Sequence, residues 1–408
     1  MTLLKYKRLI QEYSRNNCNL LRKEADGCLR HPYIVPGSSY SDQLWDWDSW
    51  LTDIAIRQIM SDNGEDHTAY LEYERGSVLN FLENALPDGK VSFMLKTIGP
   101  VLDEWTDNLH KPCLAQHIRF ILQNSDGGLE WIRSCFPQLR AFIDYYMTHC
   151  RHKETGLYFW MDDGGIGVDN DPCTYYRPPK SSGSIYLNCM MYQELLSTVE
   201  VLEQLGEEAE KYREEANHLR DAMHEHMWDE RNGFYYSVDF NLLPIIPAKE
   251  KYLHSGAPRH YDCLIQRIDV WTGFMTMWAG IATKEQAERM VRENLLREDL
   301  FWSPYGVRTL SPKEKMYRIV ETANPSNWHG PIWGIANYMC FEGLVKYGYY
   351  EEATELAERT IRMLGQDIEQ NGAMHEFYDP ETGEGLRTWG FQSWNLLANN
   401  MIAWLEGR

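Results

Sequence analysis

Residues 327–364 read NWHGPIWGIANYMCFEGLVKYGYYEEATELAERTIRML. A loop rich in aromatic residues, glycine and proline runs into an apolar stretch, Ile332–Lys346, which residues 347–349 separate from a second stretch, Tyr350–Leu364. Apolar residues recur at three- and four-residue spacing in both stretches, which predicts two helices. Because so few residues join them, the two helices form an antiparallel hairpin preceded by a long loop.

The same unit recurs along the chain, because short connections alternate with long loops rich in Gly, Pro, Trp and Tyr. The predicted helices are Leu3–Ala25, Asp42–Ser61, Ala69–Glu83, Leu114–Gln123, Leu129–Cys150, Ser184–Leu205, Glu207–Trp228, Val270–Ala282, Lys284–Leu295, Ile332–Lys346, Tyr350–Leu364 and Ser393–Glu406. The long loops are Arg30–Ser41, Pro87–Lys111, Gly156–Ser182, Asn232–Gln266, Leu300–Pro331 and Gln370–Gly390. Short strand-like pieces are Gly233–Val238 and Ala373–Tyr378.

Six long loops among about twelve helices predict an all-α fold of six helical hairpins in a ring, an (α/α)6 barrel. The long loops of such a barrel gather at one end, which is where function usually lies. A helical solenoid is the alternative layout, but the sequence has no repeat of fixed period. No linker rich in Pro, Gly or Ser divides the 408 residues, so we predict a single barrel catalytic domain over residues 1–408.

The chain is strongly acidic, with a net charge of −20 and a pI of about 5.1. Such a chain repels phosphate backbones, which makes nucleic acid an unfavourable partner. A small substrate with one carboxylate remains compatible with this charge, because a local Arg or Lys can receive it. The 15 Trp and 25 Tyr favour a carbohydrate cleft over a purely structural core, because many of them stand in loops that contain Gly and Pro.

The cysteine pattern and the first residues of the chain give an indication of the cellular compartment. The 9 Cys include no CxxC pair and no Cys/His metal spacing, so we expect a reduced, cytoplasmic protein without a metal or other cofactor. Residues 1–22 mix Lys, Arg and Glu with apolar residues, which predicts an amphipathic helix and not a signal peptide. No apolar run is long enough to span a membrane. The oligomeric state stays open, with a homo-oligomer as one option.

Two acidic motifs stand roughly 200 residues apart. The first is Gly167-Val168-Asp169-Asn170-Asp171-Pro172, and the second is His375-Glu376-Phe377-Tyr378-Asp379-Pro380, followed by Gly383-Glu384-Gly385. Hydrolysis of a glycosidic bond needs two carboxyl groups, one to protonate the leaving oxygen and one to act from the opposite face. The alternative is that Asp169 and Glu376 are turn formers, as Asp-Asn and Asp-Pro steps often are.

Other motifs could bind sugar hydroxyls or stack on sugar rings. Trp47-Asp48-Ser49 sets an aromatic ring beside a hydrogen-bond acceptor, although an acid at a helix start also complements the helix dipole. Gln116 lies in the first turn of another helix, where an exposed Gln is the commoner outcome. Two aromatic loops, 302–308 and 324–333, either wall the pocket or serve as rigid connectors.

Taken together, these motifs resemble the α-barrel glycosidases of glycoside hydrolase family 63 and, more distantly, the trehalases. Single motifs are weak, but seven in the family's order, from about Asp42 to the C-terminus, are specific. They are Trp47-Asp48-Ser49, Lys111-Pro112 with Ala115-Gln116, Gly167-Val168-Asp169-Asn170, Trp228-Asp229 with Gly233-Phe234-Tyr235-Tyr236, Ser303-Pro304-Tyr305-Gly306-Val307-Arg308, Asn327-Trp328-His329-Gly330-Pro331-Ile332-Trp333, and Glu376 with Tyr378 through Gly385.

The resemblance implies an inverting α-glycosidase, with Asp169 in the place of the general acid and Glu376 in that of the general base. Glu384 is the rival for the base. Trp47 and Asp48 fall where the family grips the released sugar. The substrate-binding residues that we predict from the motifs are Trp47, Asp48, Gln116, Asn170, Tyr305, Arg308, Trp328, His329, Trp333, Glu384 and Trp389.

The compact size is similar to that of the bacterial branch that hydrolyses mannosylglycerate or glucosylglycerate, small glycosides of an organic acid. The sugar itself, glucose, mannose or galactose, is left open. Candidates to receive the acid's carboxylate are Arg177, Lys180, Arg308, Tyr175 and Tyr176.

The chain departs from the family where Asp171, Pro172 and Cys173 follow Asp169-Asn170, and in the segment Asp162-Asp163-Gly164-Gly165. A second acid close to Asp169 would raise the pKa of one of the two.

Three other functions compete with this hypothesis. One is an α-glucosidase that acts on oligosaccharides. Another is a sugar 2-epimerase of the N-acylglucosamine type, which uses paired histidines as acid and base; loop histidines here are His110, His254, His260, His329 and His375. The third is a carbohydrate-binding protein without activity, which would be expected to have lost one of the two carboxyls.

Overall fold

The computed structural model describes residues 2–101, 106–243, 259–320 and 325–408. The α-helices in these ranges are α1 (Thr2–Asn17), α2 (Asp46–Asn63), α3 (Leu71–Glu83), α4 (Leu114–Gln123), α5 (Phe136–His149), α6 (Ile185–Gln204), α7 (Glu210–His226), α8 (Met275–Trp278), α9 (Lys284–Arg289), α10 (Gly334–Lys346), α11 (Tyr350–Asn371) and α12 (Ala398–Leu405). Shorter 3-10 segments are Cys18–Leu21, Ser38–Tyr40, Glu130–Cys135, Trp271–Phe274 and Ser393–Leu397, and a π-helical turn covers Met290–Leu295.

Alternate helices form an inner ring that closes on itself. Helix α2 packs against α4, α4 against α6, α6 against α8, and α8 against α10. Residues 393–405 pack against both α10 and α2 and so close the ring. The intervening helices lie outside it, with α3 on α4, α7 on α6, and α11 on α10 and α1. The predicted (α/α)6 barrel is therefore confirmed.

Burial along each helix explains which ring it joins. Helix α6 has 16 of its 20 residues buried and reads as apolar around most of its circumference, as an inner helix must. Helix α7 has only 6 of its 17 residues buried, in one stripe. Its remaining residues are mostly charged, so it can cover the barrel while facing water.

Strands are short and lie in the connections between helices. They are β1 (Arg22–Lys23), β2 (Tyr33–Ile34), β3 (Gln43–Trp45), β4 (Met94–Lys96), β5 (Gly99–Pro100), β6 (Ser182–Gly183), β7 (Trp228–Asp229), β8 (Phe234–Tyr235), β9 (Val238–Asp239), β10 (Leu264–Ile265), β11 (Trp302–Ser303), β12 (Gly306–Val307), β13 (Ile332–Trp333) and β14 (Phe377–Tyr378). They pair in antiparallel fashion, β3 with β4, β4 with β5, β9 with β6 and β10, and β13 with β14 among them. Both predicted strand-like pieces contain strands.

Strand pairing shortens several predicted helices. The first was predicted to reach Ala25, but its α-helix ends at Asn17 and passes through the 3-10 segment Cys18–Leu21 into β1, which pairs with β2. The helix predicted from Asp42 begins at Asp46, because β3 pairs with β4. The helix predicted from Ile332 begins at Gly334 for the same reason, since β13 pairs with β14. Periodicity could not show this, because these ends are decided by a distant partner strand.

Other boundaries also differ from the prediction, and the predicted helices Leu129–Cys150, Lys284–Leu295 and Ser393–Glu406 each contain a 3-10 or π-helical segment beside a shorter α-helix. Helix α11 continues past Leu364 to Asn371 and ends where Gly372 takes a left-handed φ of 75°. The segment predicted as one helix over Val270–Ala282 is instead a 3-10 turn followed by the four residues of α8.

Candidate active site

A pocket of about 340 Å³ lies where the long loops meet the N-termini of inner helices. Its volume is in the usual range for a small-molecule site. Its lining residues are Pro36, Tyr40, Trp45, Trp47, Asp48, Lys111, Asp163, Gly164, Gly165, Gly167, Asp169, Tyr175, Ser326, Trp333, Glu376, Phe391 and Trp394. Aromatic rings and carboxyl groups therefore share one concave surface, which suits a sugar that stacks and forms hydrogen bonds.

The start of helix α2 supplies one wall. Asp46 is buried in the first turn and holds the ammonium of Lys111 with its Oδ1 at 2.9 Å and its Oδ2 at 3.0 Å. The same ammonium lies 5.7 Å from the ring centroid of Trp47, which faces the pocket. The ion pair fixes the ring and joins the second long loop to α2.

Asp48 follows one residue after Trp47 and is also nearly buried. The Ser393 hydroxyl donates to its Oδ1 at 3.2 Å. Burial and the charge of Asp46 raise the pKa of Asp48 to about 8, although Lys111 and the Ser393 hydrogen bond lower it. A carboxyl group that protonates so easily can either donate to or accept from a sugar hydroxyl.

Asp169 reaches the pocket from the third long loop. Gly167, just before it, has a φ of +85°, and a Cβ there would meet Lys111 Cε at 2.5 Å and the Trp47 ring at 3.0 Å. Burial raises the pKa of the Asp169 carboxyl, while a hydrogen bond from Ser326 and the charge of Lys111 lower it. An acid placed in this way keeps its proton to a higher pH than an exposed aspartate.

Glu376 enters from the last long loop, directly before β14. The pairing of Phe377 with Trp333 fixes the backbone next to it, and its own N–H donates to the carbonyl of Arg387 at 2.9 Å. The Thr388 hydroxyl donates to its Oε2 at 2.5 Å. Its pKa is raised to about 7, because burial and the charge of Asp169 raise it more than the hydrogen bonds from Thr388 and Tyr40 and the charge of Arg387 lower it.

Stacked indoles support the floor of the pocket. Trp333 lines the pocket and stacks on the buried Trp328, with centroids 3.9 Å apart and planes 8° apart. Trp328 in turn stacks on Trp271 at 6.0 Å. Trp394 contacts both Trp333 and Trp47, at 6.1 and 5.2 Å. The aromatic surface is rigid because each ring is fixed by its neighbours.

Comparison with known proteins identifies this arrangement. The family model of the mannosylglycerate hydrolase MGH1-like glycoside hydrolase domain matches residues 41–394. The chain belongs to this family. It is a glycoside hydrolase, and the resemblance predicted from its motifs is confirmed. The match spans the helices of the barrel from α2 to α11 and both acidic motifs.

Individual relatives agree with the family. Mannosylglycerate hydrolase MGH1 of Selaginella moellendorffii is 23% identical over 91% of this chain and 82% of its own length. Among solved structures, the family 63 mannosylglycerate hydrolase of Thermus thermophilus in complex with glucose gives a TM-score of 0.70 at 18% identity, over 94% of this chain and 98% of its own. The neutral trehalase of Saccharomyces cerevisiae gives a TM-score of 0.64 at 18% identity, over 96% of this chain and 79% of its own.

Several predicted site residues of this glycoside hydrolase line the pocket, and others do not. Asp169, Glu376, Trp47, Asp48 and Trp333 are in the lining. The predicted residues outside it are Gln116, Asn170, Tyr305, Arg308, Trp328, His329, Glu384 and Trp389.

The residues outside the lining have other partners. The Gln116 amide donates to the carbonyls of Pro112 and Met190, at 2.6 and 3.2 Å. The Tyr305 hydroxyl donates to Gln366 at 3.2 Å. Arg308 is paired with Glu381 in a separate polar cavity.

Two predicted residues of the last long loop, the rival base Glu384 and the substrate-binding candidate Trp389, are exposed. Glu384 lies in a turn in which its carbonyl accepts the N–H of Asp379 at 2.9 Å. Trp389 is 62% exposed and its indole donates to the carbonyl of Asn371. Of the two glutamates, only Glu376 faces Asp169 across the pocket.

The residues predicted to receive the carboxylate of the substrate also divide into one that lines the pocket and others that do not. Arg177 is paired with Asp239, Arg308 with Glu381, and Lys180 is exposed and outside the lining. Tyr175 is in the lining, and its neighbour Tyr176 is 81% exposed.

The three aspartates near Asp169 in the sequence, Asp162, Asp163 and Asp171, have different surroundings. Asp162 accepts hydrogen bonds from Thr106, Asn108 and the N–H of Gly164, so it shapes the loop. Asp163 lines the pocket and accepts the N–H of Tyr176 at 2.7 Å. Burial raises the pKa of Asp171 to about 6, and its carboxylate accepts the Thr174 hydroxyl at 3.0 Å.

The described histidines do not line the pocket. Burial lowers the pKa of His110 to about 4, and His375 pairs with Asp367 at 3.0 Å. His329 contacts the carbonyl of Asn170, His260 is exposed, and His254 lies outside the described residues. The epimerase alternative is therefore not favoured.

Motif analysis missed several lining residues. Tyr40, Trp45, Ser326, Phe391 and Trp394 were not predicted as site residues, although each stands in or beside a long aromatic loop. Trp394 fell inside a predicted helix, so the only available signal was its closeness to the Trp389–Phe391 turn. Within the described ranges, no helix is both long and apolar enough to cross a bilayer.

Proposed function

We propose that this enzyme hydrolyses small α-glucosides or α-mannosides with inversion at the anomeric carbon, with Asp169 as general acid and Glu376 as general base. The observation that carries the proposal is that these two carboxyls, 207 positions apart, line one aromatic pocket, where the charge of Asp169 raises the pKa of Glu376. The relatives named mannosylglycerate hydrolase support a small glycoside of an organic acid as substrate.

Each carboxyl group has one task in the reaction. Asp169 transfers its proton to the glycosidic oxygen as the bond from that oxygen to the anomeric carbon breaks. Glu376 removes a proton from a water molecule whose oxygen forms the new bond on the opposite face. The products are the free sugar, with inverted configuration, and the released alcohol. Room for the water requires the two carboxyls to lie roughly 6.5–9.5 Å apart in the working complex.

The electrostatics of the pair support this division of roles. The charge of Asp169 raises the pKa of Glu376. When Asp169 carries the proton, that repulsion disappears and Glu376 ionises more readily. The pair thus favours the state with one proton, and the Ser326 and Thr388 hydroxyls stabilise whichever carboxyl is charged.

The released sugar would lie between Trp47 and Asp48. Trp47 is fixed by Lys111 and by the rings of Tyr186 and Trp394. A rigid ring beside one buried carboxyl binds a pyranose through an apolar face and its hydroxyls. Tyr175 is the remaining candidate for the carboxylate of the leaving group.

Proton NMR of the reaction tests the proposal. Glucosylglycerate, mannosylglycerate, trehalose, kojibiose and nigerose would be offered separately, and the first anomer released would be recorded. Initial β-anomer from one of them is expected. Initial α-anomer would overturn inversion, and the absence of release from all five by folded enzyme would overturn the small-substrate assignment.

Two matched variants test the base. Glu376→Gln should lower kcat by about 10²–10⁴-fold, because a positioned general base contributes that much. Glu384→Gln is the control from the same loop, and its kcat should stay near that of the unmodified enzyme. Equal losses in both variants would contradict the assignment, provided that circular dichroism shows both to be folded.

A further inference from the structure

Two hydroxyl residues beside the pocket have an unusual backbone. Thr388 has a φ of 41° and Ser393 a φ of 29°, in the left-handed region that glycine favours. Thr388 is also β-branched, for which this conformation is a genuine outlier. Such strain persists only where surrounding contacts impose it, and it concentrates at functional sites.

Each of these hydroxyls contacts one pocket carboxyl. Thr388 Oγ1 donates to Glu376 Oε2 at 2.5 Å, and Ser393 Oγ donates to Asp48 Oδ1 at 3.2 Å. The Thr52 hydroxyl donates to Ser393 Oγ at 3.3 Å and so directs the serine proton towards Asp48. One short segment therefore reaches both the proposed base and the acid that faces the sugar.

Contacts at both ends fix the segment 388–393. The N–H of Gly390 donates to the carbonyl of Met374 at 2.9 Å, and the N–H of Ser393 donates to the carbonyl of Pro36 at 3.0 Å. Between them, Phe391 lines the pocket and packs against the rings of Tyr40 and Trp394, at 6.2 and 5.2 Å. The segment is anchored to the first and last long loops, which holds the two left-handed residues in place.

We propose that Thr388 and Ser393 are positioning residues, whose left-handed backbone aims one hydroxyl at Glu376 and the other at Asp48. Thr388 engages one oxygen of Glu376 and thereby directs the other towards the attacking water. Ser393 sets the orientation in which Asp48 meets the sugar. This inference rests on the proposed role of Glu376 as the base.

Three variants of Thr388 separate the hydroxyl from the backbone. Thr388→Val keeps the shape and the strain but has no hydroxyl, Thr388→Ser keeps the hydroxyl, and Thr388→Gly removes both the hydroxyl and the strain. We expect kcat to fall roughly 10- to 100-fold in the Val and Gly variants, since small misplacement of a catalytic group has this effect. The Ser variant should retain most of the activity.

The pH profile distinguishes positioning from a structural role. The Thr388 hydrogen bond lowers the pKa of Glu376, so its loss should move the acidic limb of kcat/KM to higher pH. This shift is expected for Val and Gly and not for Ser. The Gly variant has no strained side chain at this position, so backbone strain does not affect its folding. If its acidic limb stays at the pH of the unmodified enzyme, the assignment of Thr388 is overturned.

Infrared titration keeps this test independent of the catalytic assignment. The carboxyl band of Glu376 is identified by its loss in Glu376→Gln, and its midpoint is compared between the unmodified enzyme and Thr388→Val. An unchanged midpoint overturns the inference about Thr388. If the midpoint shifts but Glu376→Gln remains active, the hydrogen bond stands and the proposed base fails.

Ser393 is tested through binding of the released sugar. Ser393→Ala should raise KM and the inhibition constant of the free sugar more than it changes kcat, because Asp48 contacts the sugar and not the water. Ser38→Ala is the control: Ser38 also has a left-handed φ, of 51°, but its hydroxyl donates to the carbonyl of Trp389. Equal changes in the two variants would contradict a specific role for Ser393.

Discussion

The side-chain oxygen of Asn170 accepts the backbone N–H of Trp328 at 2.6 Å, across 158 positions of sequence. The carbonyl of Asn170 also contacts the His329 imidazole at 2.6 Å. These bonds join the loop that carries Asp169 to the loop that carries Ser326 and the stacked indoles. Asn170 was predicted to bind substrate; it is not among the residues that line the pocket, and its contacts hold the backbone next to Asp169.

Asn170→Ala should therefore lower kcat while changing KM little. A displacement of about 1 Å in Asp169 is enough for a loss on the order of 10²-fold. Steady-state kinetics with a hydrolysed substrate measure this change. Asn399→Ala is the control, because Asn399 is also buried and hydrogen-bonded, to Ser14 at 2.9 Å, but lies outside the pocket. A normal kcat in Asn170→Ala would show that Asp169 is positioned without it.

The pH dependence of kcat/KM should be bell-shaped, with an acidic limb near pH 7. Glu376 must be ionised to accept a proton, and its pKa in the free enzyme is about 7, so activity rises with pH through that value. Asp169 must keep its proton, so activity falls again where this carboxyl ionises, and burial moves that limb to higher pH than for an exposed aspartate because it raises the pKa of Asp169. Stopped assays across a pH series measure both limbs. If kcat/KM does not change with pH around pH 7, a general base with the pKa of Glu376 is excluded.

Gly167→Ala should damage both stability and substrate binding. The left-handed φ of +85° disfavours any side chain, and the new Cβ would also press on Lys111 and Trp47. Gly206→Ala is the matched control, because Gly206 has a φ of +72° and nothing within 4 Å of its Cβ position.

The control should cost about 1–2 kcal/mol of unfolding free energy, from strain alone. Gly167→Ala should cost more and should also raise KM. Urea unfolding and steady-state kinetics measure the two effects, and equal unfolding free energies in the two variants would contradict the contact with Lys111 and Trp47.

Tyr175→Phe should raise KM for a glycerate glycoside more than for a neutral disaccharide. A hydrogen bond with Tyr176 raises the pKa of Tyr175 to about 12, so its hydroxyl is a neutral donor at working pH. Such a donor can bind a carboxylate without carrying a charge itself. Tyr350→Phe is the control, because Tyr350 is exposed and lies outside the pocket. The same KM ratio in both variants would assign the carboxylate to another residue.

The residues predicted from the motifs line the pocket where motif and position agree, and other lining residues were not predicted because the loops fold over one another. Trp47, Asp48, Asp169, Trp333 and Glu376 could be recognised because each stands beside a helix start or a strand in a long loop. Phe391 and Trp394 could not, because their exposure to the pocket depends on how residues 393–405 close the ring against α2.

The sequence by itself determined the alternation of helices and long loops, and with it the barrel, because helical periodicity and turn residues act over a few neighbouring positions. Only the tertiary structure showed which of Glu376 and Glu384, which stand eight positions apart in one loop, lines the pocket. The pairing of β14 with β13 turns Glu376 into the pocket and leaves Glu384 in an exposed turn. That choice depends on a partner strand more than forty residues away, which no local pattern encodes.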